Sequence, residues 1–326
     1  VAQPNLDPTA ADAGDVLGTY LRAQATAFLR ALRLHEEGGP PAAGDREAGG
    51  GVPARGLRGA ARRISGSLAT FRTVTEPAWA DRLRTELVWL SSTLADEHAY
   101  AARLTRLMDA LHRLSGSPEV PAPRGGAAGA LTVGSARAGA LLERQLTLAR
   151  TRAHSATLQA LGSSRFHAVA DAVAVLASEV PLDAVAARGR VADVLLPLAE
   201  VAETRLSAAV TALPPADGRE SAPSPYDADH DGRWNEVRRL LRVHRYAREA
   251  LGEDVTRPAA ASRALDRHRD AAEAAAASAT AARTPRIAPA TAYALGVLHA
   301  DQRHEVEAAR LDFHRVWLRE PAVTSG

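Results

Sequence analysis

Apolar positions recur three and four residues apart along most of this chain, the period of helices that bury one face. Leu57, Ala61, Ile64, Leu68 and Phe71 form one such stripe, in a helix predicted at about 54–72. Before it, Val16, Tyr20, Ala23, Ala27 and Leu34 place a first helix at about 15–37. Glu76-Pro77 marks the next start, because proline suits a first turn whose N–H has no helical partner. Trp79, Leu83, Leu87 and Leu90 follow on one face, and a separate fourth helix at about 96–114 carries Tyr100, Leu104, Leu107, Met108 and Leu111. Further helices are predicted at about 135–160, 163–179, 181–213, 229–251, 258–282 and 288–319, with Pro197 kinking or breaking the third of these. Gly/Pro-rich stretches at 38–53, 115–134 and 214–228 read as connections. The domain organisation expected is a disordered tail at 1–14, an N-terminal bundle at 15–118, a linker at 119–134 and a C-terminal bundle at 135–320.

A second periodicity runs beside the first. Arg55, Arg58 and Arg62 are spaced as one row of a helix surface, next to the stripe of Leu57 and Ala61, with Arg63 adjoining. The arrangement returns downstream, where Val237, Leu241, His244 and Leu251 make the apolar stripe and Arg238, Arg242 and Arg245 the cationic one. Laying Arg58 on Arg238 also lays Arg62 on Arg242 and Leu57 on Val237. This is read as an internal repeat. Arginine rows of this kind are often solvated faces laced with acids; repetition in register, together with the resemblance that follows, argues instead for a shared binding groove.

The two segments resemble the repeat helices of the CHAD (conserved histidine α-helical domain) family, whose pattern runs roughly His-x-x-Arg-x-x-x-Arg/Lys-Arg-Leu-Arg. Arg242-Val-His-Arg245-Tyr246-Ala-Arg-Glu249 matches the end of the later copy, and Ala294-Leu295-Gly296-Val-Leu298 with Phe313-His-Arg315-Val-Trp317 is similar to the last helix. The resemblance implies an all-α protein of two antiparallel helical bundles, related by pseudo-twofold symmetry around a central basic groove that binds inorganic polyphosphate. On that basis the expected ligand-binding residues are Arg55, Arg58, Arg62 and Arg63 on one wall, and Asn235, Arg238, Arg239, Arg242 and Arg245 on the other. Arg55 and Asn235 stand where the family has its naming histidines; arginine keeps a donor and a fixed charge, asparagine a donor alone. Leu94-Ala-Asp96-Glu97-His98-Ala-Tyr100 replaces an Arg-Asp pair that opens a helix in the family. The alternative function is a helical scaffold or protein-interaction module that has lost the ligand.

Composition sharpens this. At 326 residues with 46% hydrophobic and 24% charged residues the chain is a globular protein long enough for about two cores. Aromatics are only 4%, so those cores are Ala, Leu and Val, which pack helices closely and suit β-sandwiches poorly. All 40 basic residues are arginine, whose planar fork matches phosphate oxygens in pairs. Yet the formal net charge is only +2, too small for a general nucleic-acid binder, so polyanion binding requires segregated charge. No membrane association is expected, for want of a long apolar run, and no disulfide, for want of cysteine. The N-terminal residues lack a signal-peptide pattern, which makes the cytoplasm the expected compartment and polyphosphate granules a compatible place within it.

Other chemistry is thin. Asp227-Ala-Asp229-His-Asp231-Gly232 opens like a calcium loop, but its twelfth position is Arg238 where a bidentate Glu is needed; acids favouring a helix N-terminus explain it better. Asp301-x-x-His304 has no second copy to complete a di-metal site, so neither metal nor cofactor is expected. His98 and His167 are candidates to face the basic groove, and His244 reads as a core residue. Glu200 and Glu203 read as a solvated face or as partners for Arg205. With no phosphate-binding glycine loop, nucleophile elbow or carboxylate pair, no catalysis is expected.

Overall fold

The computed structural model describes residues 11–37, 51–116, 127–214 and 231–318. Among these residues the secondary structure is α-helix without strands, apart from short 3₁₀ turns and isolated bridges. The helices are α1 (Ala13–Glu37), α2 (Gly51–Thr70), α3 (Pro77–Gly116), α4 (Ala127–Leu161), α5 (Ser164–Ser178), α6 (Val191–Thr211), α7 (Asp231–Ala250), α8 (Thr256–Ala282) and α9 (Pro289–Leu318). Most of residues 1–14, 38–53 and 214–228, and 117–126 of the predicted linker, lie outside the described residues.

Three boundaries differ from those the sequence predicts, two of them for a local reason. α3 is one helix of 40 residues, not two, because the polar run at Ser91, Ser92 and Thr93 turns its hydroxyls back onto carbonyls of the preceding turn. α6 starts at Val191 rather than near 181, and runs through Pro197 without a break. The residues before it are taken up by a 3₁₀ turn at Ala186–Arg188 and by pairing with the start of α1, where Ala13 N–H donates to Gly189 C=O and Val191 N–H to Ala11 C=O. α4 begins at Ala127, ahead of the predicted 135.

The described chain falls into two compact units. The first draws on residues up to His98, on Ala153–Ala208 and on Arg239–Val255. Its core joins Leu17, Leu21 and Phe28 of α1 to Leu57, Ile64 and Leu68 of α2, Leu87 and Leu90 of α3, Val173 of α5, Leu195 of α6 and Ala247 of α7. The second comprises Ala99–Arg152, Ala209–Arg238 and the chain from Thr256. Leu107, Leu142, Ala274, Leu295 and Leu298 build its core, largely from Ala and Leu as the composition demands. Within it α8 and α9 run antiparallel: Arg257 bonds the Trp317 carbonyl, Arg267 pairs with Asp312, and His299 bonds the Ala275 carbonyl.

Candidate functional site

α2 carries Arg55, Arg58, Arg62 and Arg63 and no acidic residue. The part of α7 in the same unit carries Arg239, Arg242, Arg245 and Arg248 against one acid, Glu249. Packing brings these helices together. Gly66 lets the Tyr246 ring lie directly on the α2 backbone, and the guanidiniums of Arg63 and Arg245 sit 5.7 and 5.0 Å from that ring's centroid.

Glu249 is the hub of the junction. Its carboxylate accepts from Arg63 Nε at 2.7 Å and from the Tyr20 hydroxyl at 3.3 Å, and lies 3.3 Å from Arg245 Nε. Its side chain is only 17% exposed, so these charges meet with little water between them. Burial pulls the Arg63 guanidinium pKa down, but the bond and charge of Glu249 outweigh this and the net shift is upward. Burial, reinforced by the neighbouring Glu249 charge, raises the Tyr20 phenol, keeping it a proton donor.

The expected ligand residues divide. Arg55, Arg58, Arg62, Arg63, Arg239, Arg242 and Arg245 lie in the first unit; Asn235 and Arg238 lie in the second. Arg55, Arg239 and Asn235 are exposed, while Arg58, Arg62, Arg63, Arg242 and Arg245 are half-buried. Arg63 and Arg245 are brought together on Glu249. Arg238 is buried, 8% exposed, with Nε 2.7 Å from the Asp266 carboxylate. The sequence alone gives Glu249 and Tyr20 no part in the site, although Glu249 closes the motif that carries the family resemblance.

The other candidates resolve into structure. Asp231 opens α7, where its carboxylate takes Arg303 at 2.7 Å and Arg310 at 2.7 Å, with His268 Nε2 at 3.4 Å. Desolvation pushes the Asp231 carboxyl upward, but His268 and Arg303 more than reverse this and hold it well below the usual range. It is thus committed to two guanidiniums, and no group of three potential metal ligands occurs among the described residues. Asp227–His230 lie outside them. His98 and His167 are exposed, and His167 Nδ1 lies 2.8 Å from the Ser163 carbonyl. His244 is buried on the apolar stripe of α7, and burial lowers its pKa. Glu200 and Glu203 are exposed on α6. A cleft of about 480 Å³ lies over Arg106, Arg113, Gln302 and Glu305, but Arg106 is bonded to Gln302 and paired with Glu305, and Arg113 is paired with Asp301. Its charges are balanced, whereas arginines outnumber acids on α2 and the adjoining part of α7. No helix in the described residues is long and apolar enough to cross a membrane.

Comparison with known proteins agrees with this architecture. The chain is 56% identical to PptA from Streptomyces chartreusis, with a TM-score of 0.78 over 95% of this chain and 100% of that one. It shares its fold with the CHAD domain from the plant Ricinus communis, at 18% identity and a TM-score of 0.58 over 98% and 96% of the two chains. No curated protein matches it. The family model of the CHAD domain matches residues 23–276, a span that takes in both arginine-bearing helices. This chain belongs to the CHAD domain family.

Proposed function

We propose that the protein binds inorganic polyphosphate, without catalysis, on the arginine-rich surface of α2 and the adjoining part of α7. One observation carries the reading: α2 and the part of α7 in the same unit hold four arginines each against a single glutamate, in a chain whose net charge is only +2. Such segregation concentrates positive potential where a linear polyanion can run along it. Arg62 adjoins Arg63 of the Arg63–Glu249–Arg245 hub, Arg58 lies just over one turn before Arg63 and Arg242 about one turn before Arg245, and Arg55 and Arg239 extend the surface outward. Each guanidinium offers paired N–H donors to phosphate oxygens, and several engaged along one chain give affinity through multivalency. The recurrence of the α2 pattern in α7 supports the pseudo-twofold relation expected of the family, with these as the equivalent helices. Asn235 and Arg238, which belong to the other unit, enter the proposal through the family resemblance alone, and Arg238 is held there on the Asp266 carboxylate.

Isothermal titration with long-chain polyphosphate tests this. Arg62→Ala with Arg242→Ala should weaken binding at least tenfold, the scale expected when two charge-assisted bonds to phosphate are removed. A double variant with wild-type affinity and an unchanged melting curve would refute the site.

A second reading, a scaffold that has lost its ligand, draws on Arg63, Arg245 and Arg238 each meeting an acid and on the absence of both naming histidines. It predicts no rise in melting temperature with added polyphosphate, whereas a binder is stabilised as ligand rises.

A further inference from the structure

We infer that Glu249 is a specificity-determining residue: a built-in carboxylate competitor that makes the arginine surface select long polyphosphates over small phosphate anions. This rests on the polyphosphate reading and names the residue that sets its length threshold. Glu249 occupies the place a phosphoryl group would take, with Arg63 Nε at 2.7 Å, Arg245 Nε at 3.3 Å and the Tyr20 hydroxyl at 3.3 Å converging on its two oxygens. Two hydrogen-bond donors, from α1 and α2, and the ion-paired guanidinium of Arg245 on α7 meet on one shielded carboxylate and form a preorganised anion cradle, already filled from within.

A free anion gains little there. It must share one guanidinium already bonded to Glu249 and another already paired with it, and it stands beside a like charge. Orthophosphate or a short oligophosphate has few further partners with which to offset that cost. A long chain spans Arg58, Arg62 and Arg242 as well, so the penalty at one point is spread over many phosphate–guanidinium bonds. Glu249 therefore lowers the affinity for short anions by a large factor and for long chains by a small one. Tyr20, with its proton held by burial, keeps the carboxylate seated.

The experiment is calorimetric titration of wild type and Glu249→Gln with orthophosphate, tripolyphosphate and long-chain polyphosphate, each protein's fold checked by its melting curve. Wild type should prefer the long chain strongly. In Glu249→Gln tripolyphosphate affinity should rise about tenfold, the worth of one charged contact, while long-chain affinity changes only a few-fold. The length preference should collapse accordingly. If wild type binds no polyphosphate, the functional reading itself fails. If it binds and the ratio of long-chain to tripolyphosphate affinity is the same in both proteins, Glu249 is no competitor and this inference alone falls. Should Glu249→Gln not fold, the Arg63 and Arg245 Nε–H signals in nuclear magnetic resonance of the wild type decide. They should move with long-chain polyphosphate and stay fixed with orthophosphate; equal responses to both overturn the proposal.

Discussion

Gly66 of α2 lies so close to Tyr246 of α7 that a Cβ at residue 66 would stand 2.6 Å from Cδ2 of the tyrosine ring. Only a residue without a side chain lets the two arginine-bearing helices approach to this distance. Gly66→Ala gains about 1 kcal/mol of helix propensity but overpacks the contact at about 1–3 kcal/mol, so a net loss of stability is expected. In a Tyr246→Leu background the overpacking is relieved, and the same substitution should become neutral or stabilising. Urea unfolding of the four proteins checks the change of sign.

Arg238 and Arg242 are one turn apart on α7 but should behave differently. Arg238 is buried against Asp266, so Arg238→Ala should cost about 1–3 kcal/mol of stability and change polyphosphate affinity only a few-fold. Arg242 is only half-buried, so Arg242→Ala should cost less stability than Arg238→Ala and weaken binding several-fold. Paired thermal melts and titrations distinguish the two outcomes.

Asp231 is the counter-charge of two buried cations, Arg303 at 1% exposure and Arg310 beside it. Asp231→Asn removes the carboxylate they share, leaving Arg310 its longer pairing with Glu307, and a destabilisation of up to about 3–5 kcal/mol is expected by chemical denaturation. The Asp231 carboxyl is held below its ordinary value of 3.8, so the stability it contributes is fully present above that pH. It is lost as pH falls further toward the folded-state value. The acid limb of the stability profile should therefore flatten in the variant.

His244 and His268 act at milder acidity. Burial lowers both below the ordinary 6.5, in His244 against the charge of Glu203 and in His268 against the bond to Asp231. The unfolded chain thus takes up protons first, and the stabilisation is complete above pH 6.5 and declines as pH falls through the folded-state values. His244→Leu should reduce the slope of unfolding free energy between about pH 7 and 5, measured by urea titration at several pH values.

Polyphosphate binding on this surface should also weaken steeply with salt. The slope of log affinity against log salt is expected near about −0.7 for each phosphate neutralised, by analogy with single-stranded nucleic acids. Removing Arg62 should lower its magnitude by about one such step.

The sequence reveals the helices better than their partners. Leu57, Ala61, Ile64, Leu68 and Phe71 are all buried, as are Val237, Leu241 and His244, because a stripe at helical period faces the core wherever the helix packs. The continuity of α3 is obscured because serine and threonine favour helix starts and turns when no carbonyl is in reach; here each finds one a turn back. The roles of Glu249, Asp266 and Asp231 are invisible locally. Apart from Arg245, four residues before Glu249 on the same helix, their cations stand 186, 28 and 72 or 79 positions away, and no periodicity reports on pairs formed by tertiary packing. The same applies to Arg238, which shares the spacing of the row beside it but not its surroundings.

The interleaved division of the chain bears on its synthesis. Helix α7, which supplies Ala247 and Ala250 to the first core, arrives long after the ribosome has passed His98. At about 5–20 residues per second, roughly eight to thirty seconds separate the two. During that interval α1 and α2 display the apolar surface meant for α7, making the nascent N-terminal segment a natural client for a holding chaperone.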